Sequence, residues 1–180
     1  FELNHLINFL LKSKIFISLC VFCLALSTQF MIGEYNLNLL FLLFFGTFLS
    51  YNYQRIIFHI KLKKKHSISW FFGNKKLIFL IAMAGILFLY CFFQLKTITK
   101  LMVILLSSVS LFYPVLRKIP FLKILLISFS WAYSTVALIY FENNLDFNQN
   151  YKLSVISRIF FILGITTVSY THLTLPTIMP

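Results

Sequence analysis

The sequence predicts an all-α fold, a polytopic transmembrane helical bundle. Three observations point there. Of 180 residues, 60% are hydrophobic and 11% charged, with a mean hydropathy of +0.90, too apolar to coat a soluble domain of this size. The apolar residues fall in runs of about 20, the length a helix needs to cross a bilayer. Phe is abundant (23) while Gly (5) and Pro (4) are scarce, without the alternation of a membrane barrel strand. A helix satisfies its own backbone hydrogen bonds, so in lipid it is the natural spanning element.

Residues 1–14 read as a mixed polar lead-in ending in Lys12 and Lys14, suited to the membrane interface. Residues 15–166 read as a partial transmembrane domain of about six spans. The first is predicted over Ile15–Ile32, closed by the turn Gly33-Glu34-Tyr35-Asn36. The second runs Leu37–Phe58, the third Leu77–Leu95 and the fourth Ile98–Leu116, with Pro120 marking the break. The fifth runs Phe121–Phe141 and the sixth Leu153–Val168.

Charge sets the expected orientation. Sixteen basic residues against four acidic ones give +12. The basic residues lie between apolar runs, which points to the positive-inside rule and to anionic lipid headgroups rather than to nucleic acid. The loop from Arg55 to Lys76 carries Arg55, Lys61, Lys63, Lys64, Lys65, Lys75 and Lys76, and the next basic loop carries Arg117, Lys118 and Lys123. Both are predicted to face the cytoplasm. Glu34 and the loop from Glu142 to Asn150 face outward, with the basic link Lys96 to Lys100 as a mild violation. Six spans then place the N-terminus in the cytoplasm. The excess of Lys over Arg, with frequent Asn, Ile and Phe, suggests a low-GC bacterial sequence, hence an inner-membrane protein.

The start at Phe1 and the change of character at Thr167 predict a fragment. Residues 167–180 resemble translated sequencing-adapter read-through and are set aside as an artefactual tail. Cys20 and Cys23 form a CxxC inside an apolar run, where packing is the expected role; a zinc or redox site needs a polar, accessible setting. His59 and His66 lack a third ligand at metal-like spacing.

The candidate site is the polar cluster Ser50-Tyr51-Asn52-Tyr53-Gln54-Arg55 at the end of the second span. Polar groups at such depth are costly and mark function by default. A second cluster, Tyr113-Pro114-Val115-Leu116-Arg117-Lys118, ends the fourth span. A third stretch runs from Arg117-Lys118-Ile119-Pro120-Phe121-Leu122-Lys123 into Ser128-Phe129-Ser130-Trp131-Ala132.

Together these stretches resemble the UbiA-type intramembrane prenyltransferases, in particular a divergent Bacteroidetes-like branch. Tyr113 with Arg117 and Lys118 is similar to the family's Tyr-x-x-x-Lys/Arg element. The resemblance implies a bundle of about nine helices around a central cavity, of which about six are present. It implies transfer of an isoprenyl group from an isoprenyl diphosphate to an acceptor, with Mg²⁺ held by two aspartate-rich motifs. The first motif normally reads Asn-Asp-x-x-Asp-Arg. With Arg55 in register, Ser50, Tyr51 and Gln54 replace the Asn and both Asp; with Asn52 in register, Tyr53 and Ile56 take the Asp positions. No carboxylate remains either way, and the second motif would lie beyond the sixth span. Mg²⁺ is therefore expected only if the intact protein is active.

Each candidate carries two readings. Arg55 contacts a diphosphate or headgroup, or snorkels as an interfacial anchor. Tyr51, Asn52 and Gln54 line a polar pocket, or join helices by hydrogen bonds. Tyr113, Arg117 and Lys118 bind diphosphate, or serve the aromatic belt and topology. Three functions compete: a prenyltransferase, a non-catalytic isoprenoid or lipid binder, and an unrelated small transporter or assembly subunit.

Overall fold

The structure, a computed structural model, describes residues 10, 13–61, 75–116 and 120–174, with side chains for all of these except 59–61, 114–116, 120–121 and 169–174. The described chain is helical, without a strand. Helix α1 is Ile15–Ile32, α2 Leu37–Lys61, α3 Lys75–Gln94 and α4 Thr97–Leu116. Helix α5, Pro120–Ala132, runs through a π-helical turn, Tyr133–Ala137, into α6, Leu138–Asn143. These three make one continuous rod. Helix α7 is Gln149–Thr174.

Local chemistry fixes the ends. Gly33 sits at φ 82, a left-handed position that favours glycine, and its N–H closes on Gln29 O at 2.9 Å. Asn36 Oδ1 caps α2 by accepting from Leu39 N at 3.1 Å, and Asn148 Oδ1 caps α7 by accepting from Tyr151 N at 3.0 Å. Asn144, at φ 53, ends α6. Pro120 begins α5, where its missing N–H costs nothing.

Several boundaries differ from the sequence expectation. Helix α2 continues past Phe58 to Lys61 and so runs on beyond Arg55, where the basic loop was expected to open. Glu142, expected in an outward loop, lies in the last turn of α6 and is buried. Helix α7 starts four residues earlier than expected and stays helical to Thr174, so the backbone of 167–174 extends the sixth rod.

Among the described residues, four stretches are long and apolar enough to cross a membrane: Ile15–Ile32, Lys75–Gln94, Leu122–Asn143 and Gln149–Val168. The expectation was about six. Helix α2 has the length, but its second half carries the polar cluster from Ser50 to Arg55, which dilutes its hydropathy. Helix α4 contributes a shorter apolar stretch, Thr97–Tyr113.

Hydrogen bonds show that the rods alternate. One end of the bundle gathers Gln29, Asn36, Lys96 and Glu142. The other gathers Ser13, Asn52, Gln54 and Ser110. Glu34, Glu142 and Asp146 belong to the first end; Lys14, Arg55, Lys75, Lys76 and Lys123 belong to the second.

The core is built around α2. Its Leu39, Leu40, Leu42 and Leu43 pack with Val21 and Ala25 of α1, Cys91 of α3, Leu95 just past its end, Val103 of α4, and Leu138 and Ile139 of α6. Small residues let helices approach where lipid offers no hydrophobic drive. Gly46 is such a site: a Cβ there would lie 3.0 Å from the Phe88 ring. Helix α7 packs on α5 and the π turn. The exterior is as greasy as the interior, with Phe93 71% and Phe160 68% exposed. Such a surface suits lipid, not water. Cys20 and Cys23 are free thiols, with Cys23 exposed.

The lead-in before Leu10, the basic run Lys63 to Lys65, His66, Trp70, Arg117 and Lys118, and the tail beyond Thr174 lie outside the described residues. So does the side chain of His59.

Candidate functional site

Three polar stripes converge inside the bundle. On α2, Thr47, Ser50, Tyr51 and Gln54 stand at helical spacing on one face. On α4, Ser107 and Ser110 do the same, followed by Tyr113. On the fifth rod, Ser130, Trp131 and Ser134 complete the set. All line one cavity of about 340 Å³. Its remaining wall is apolar, from Val21, Leu42, Leu43, Phe88, Leu106, Leu126 and Leu138 among others.

The polar groups are joined to one another. Ser50 and Ser110 share a hydroxyl–hydroxyl hydrogen bond. Gln54 Nε2 donates to Ser110 Oγ at 3.3 Å. Trp131 Nε1 donates to Tyr51 Oη at 3.3 Å. Helices α2, α4 and α5 are thus cross-linked around a neutral cluster of hydroxyls, phenols and one amide. Such a cluster can orient a polar head while the apolar wall takes a tail.

The sequence-derived candidates separate. Tyr51, Gln54 and Tyr113 come together at the cavity. Asn52, on the adjacent face of α2, points elsewhere. It is 1% exposed, and its Nδ2 donates to Ser13 O at 3.1 Å and Phe48 O at 2.9 Å. Its Oδ1 has no partner among the described residues. Asn52 therefore ties α2 to the chain entering α1. Arg55 is half-buried, one turn beyond Tyr51 on the same face, and does not line the cavity. Arg117 and Lys118 lie outside the described residues.

The donor set does not fit Mg²⁺. That ion prefers carboxylate and phosphate oxygens in near-ideal octahedral geometry. The cavity wall offers neutral side-chain oxygens, and among the described residues no group of three His, Cys, Asp or Glu side chains gathers anywhere.

Two further polar centres escaped the sequence reading. Glu142, 5% exposed, accepts from Asn36 Nδ2 at 3.3 Å and from Lys96 N at 3.2 Å. Gln29 in turn exchanges two 3.2 Å hydrogen bonds with the Asn36 backbone. One carboxylate thus fastens the α1–α2 turn and the α3–α4 junction to α6. Arg158 of α7 reaches α1, where its Nη2 donates to Thr28 Oγ1 at 2.9 Å, Leu24 O at 3.2 Å and Ser27 Oγ at 3.3 Å. The signal for Arg158 was available: an ionisable residue inside an apolar run. The three serines Ser107, Ser108 and Ser110 in an otherwise apolar helix were the signal for the α4 stripe.

No family model, no curated protein and no solved structure matches this chain.

Proposed function

We propose that the protein is an integral membrane isoprenoid binder of UbiA-like architecture that holds its ligand without transferring it. The observation that carries this reading is the make-up of one cavity. Its lining combines an apolar wall with a neutral cluster of Ser50, Tyr51, Gln54, Ser110 and Tyr113. An isoprenoid has the matching shape, an apolar chain with a single polar head. An anionic head would have to reach beyond the cavity lining to meet Arg55, one turn further along α2 from Tyr51.

In this reading six helices cross a bacterial inner membrane, with the lysine-rich end and the N-terminus in the cytoplasm. The enzymatic reading keeps one supporting observation. The two stretches that resemble the family's motifs, around Tyr51 and Tyr113, meet at the same cavity. The neutral donor set weighs against it, because diphosphate departure needs charge neutralisation of the kind carboxylate-held Mg²⁺ supplies.

The test is a binding and turnover measurement on the full chain in lipid nanodiscs. Farnesol and farnesyl diphosphate are expected to bind saturably, with affinities that EDTA leaves unchanged, and no diphosphate is released. Mg²⁺-dependent diphosphate release would replace this reading with the enzymatic one. Absence of saturable isoprenoid binding would remove both.

A further inference from the structure

Arg158 brings a full positive charge into Gln149–Val168, a stretch otherwise apolar enough to cross a membrane. A charge at such depth is costly and is met by an opposite charge or by polar partners. Here the partners are neutral and all fall on one nitrogen: Nη2 donates to Thr28 Oγ1, Leu24 O and Ser27 Oγ of α1. The Nε and Nη1 donors meet none of the described residues, and no carboxylate among them pairs with this guanidinium. Glu142, buried at the same end of the bundle, is committed to Asn36 and Lys96. The fork therefore keeps open donors and an unmatched charge.

The helix geometry lifts that charge toward one face of the membrane. Side chains lean toward the N-terminus of their helix, and α7 begins at Gln149, at the Glu142 end. The guanidinium accordingly meets α1 at Ser27 and Thr28, within about two turns of its end at Gly33. Helices α1 and α7 both pack on the π turn rather than along each other, and Arg158 bridges the seam between them. Ser154 stands one turn nearer the membrane face, on the same side of α7. Val155 and Ile159, on the next face, line a second, apolar cavity of about 300 Å³ with α4 and α5. Elsewhere α7 turns Leu153, Ile156, Phe160 and Phe161 outward.

We propose that the seam between α1 and α7 binds the phosphate of an anionic membrane lipid, taken from the leaflet at the Glu142 end. The phosphate oxygens accept from Nε and Nη1 of Arg158, in charge-assisted hydrogen bonds. The acyl chains run down the greasy outer face of α7. Charge complementarity selects the lipid: a phosphatidylglycerol headgroup brings a net negative charge, whereas phosphatidylcholine cancels its phosphate with its own cation. The site lies at the opposite end of the bundle from Gln54, and it stands whether or not an isoprenoid occupies the cavity there.

The experiment is native mass spectrometry of the full chain in detergent, with phosphatidylglycerol and phosphatidylcholine of matched acyl chains. The wild type is expected to retain one phosphatidylglycerol with a preference of about fivefold. Arg158→Gln, which keeps a donor for α1 but no charge, is expected to bring the two lipids to parity. Ser154→Phe, which fills the seam and leaves the charge, is expected to lower the preference too, and stands in should Arg158→Gln fail to fold. Lys152→Gln removes an exposed charge from the same helix and is expected to change nothing. A wild type without preference, or a preference that survives in folded Arg158→Gln, overturns the site. An equal loss in Lys152→Gln reduces it to diffuse surface charge and overturns it as well. Displacement of the lipid by inorganic phosphate gives the donors to a soluble anion. A two-chain species that Arg158→Gln breaks up gives them to a protein carboxylate. Either result removes the lipid.

Discussion

Asn36 Nδ2 donates to Glu142 Oε1 at 3.3 Å, across 106 positions of sequence. The same carboxylate accepts the Lys96 N–H. Glu142→Leu removes the acceptor from both donors, and a buried donor left unsatisfied costs about 1–3 kcal/mol. Denaturation of the detergent-solubilised protein should show a loss in that range. Glu142→Gln, which keeps one carbonyl oxygen, should lose less. Equal stability of Glu142→Leu and wild type would contradict the role of this carboxylate.

Tyr51 and Trp131 provide a second test. Removing the Trp131 donor (Trp131→Phe) or the Tyr51 acceptor (Tyr51→Phe) should each cost about 0.5–1.5 kcal/mol. The double variant should cost less than the sum, because one hydrogen bond is lost only once. The chain has 2 Trp. The Trp131→Phe change should also reduce the fluorescence response to a ligand in the cavity, because Trp131 lines its wall.

Arg158 separates two readouts. A charge in a spanning helix opposes insertion by about 2.5–3.5 kcal/mol at the centre. Arg158→Leu should therefore raise the insertion efficiency of α7. It also removes the three hydrogen bonds to α1, each worth about 0.6 kcal/mol between membrane helices. Cross-linking between engineered cysteines on α1 and α7 should become slower or less complete. Insertion unchanged and cross-linking unchanged together would show that Arg158 holds nothing.

Gly46 is a matter of space. Its missing side chain leaves a position 3.0 Å from the Phe88 ring. Gly46→Val forces that ring aside and should destabilise the bundle by about 1–3 kcal/mol. Both residues line the first cavity, so isoprenoid affinity should fall as well. Thermal unfolding and ligand titration measure the two effects separately.

The membrane orientation is tested by labelling. With Cys20, Cys23 and Cys91 replaced, single cysteines at Asp146 and Lys75 should react with an impermeant maleimide from opposite sides of the membrane. Reaction of both from the same side would rule out the alternating arrangement across a bilayer.

Much of the helical frame was legible because apolar runs are long and their breaks are chemically loud. Ile15–Ile32 has the expected bounds because Gly33 can take a left-handed turn and Asn36 can cap. The convergence of Tyr51, Gln54 and Tyr113 followed from two polar helix ends finishing on one side. Other features had no local signature. Asn52 and Tyr51 are neighbours in sequence, yet one helical step sends them to different partners. Glu142 looked like a loop acid because its partners are far away along the chain. The π turn depends on i→i+5 backbone bonding, which Tyr133-Ser134-Thr135-Val136-Ala137 does not announce by composition. The polar cluster lowers the hydropathy of α2, so this helix, read as a span from its length, is not among the four apolar enough to cross a membrane.

The wide turn at Tyr133–Ala137 gives the fifth rod one surplus residue relative to an uninterrupted α-helix. Trp131 below it and Glu142 above it are each committed to a fixed partner. Removing one residue from within the turn would restore ordinary winding and leave both commitments in phase. Removing one residue from α6 instead would swing Glu142 by about 100° relative to Trp131. The rod therefore carries its tolerance for shortening in one place, and a deletion scan would read that place out directly.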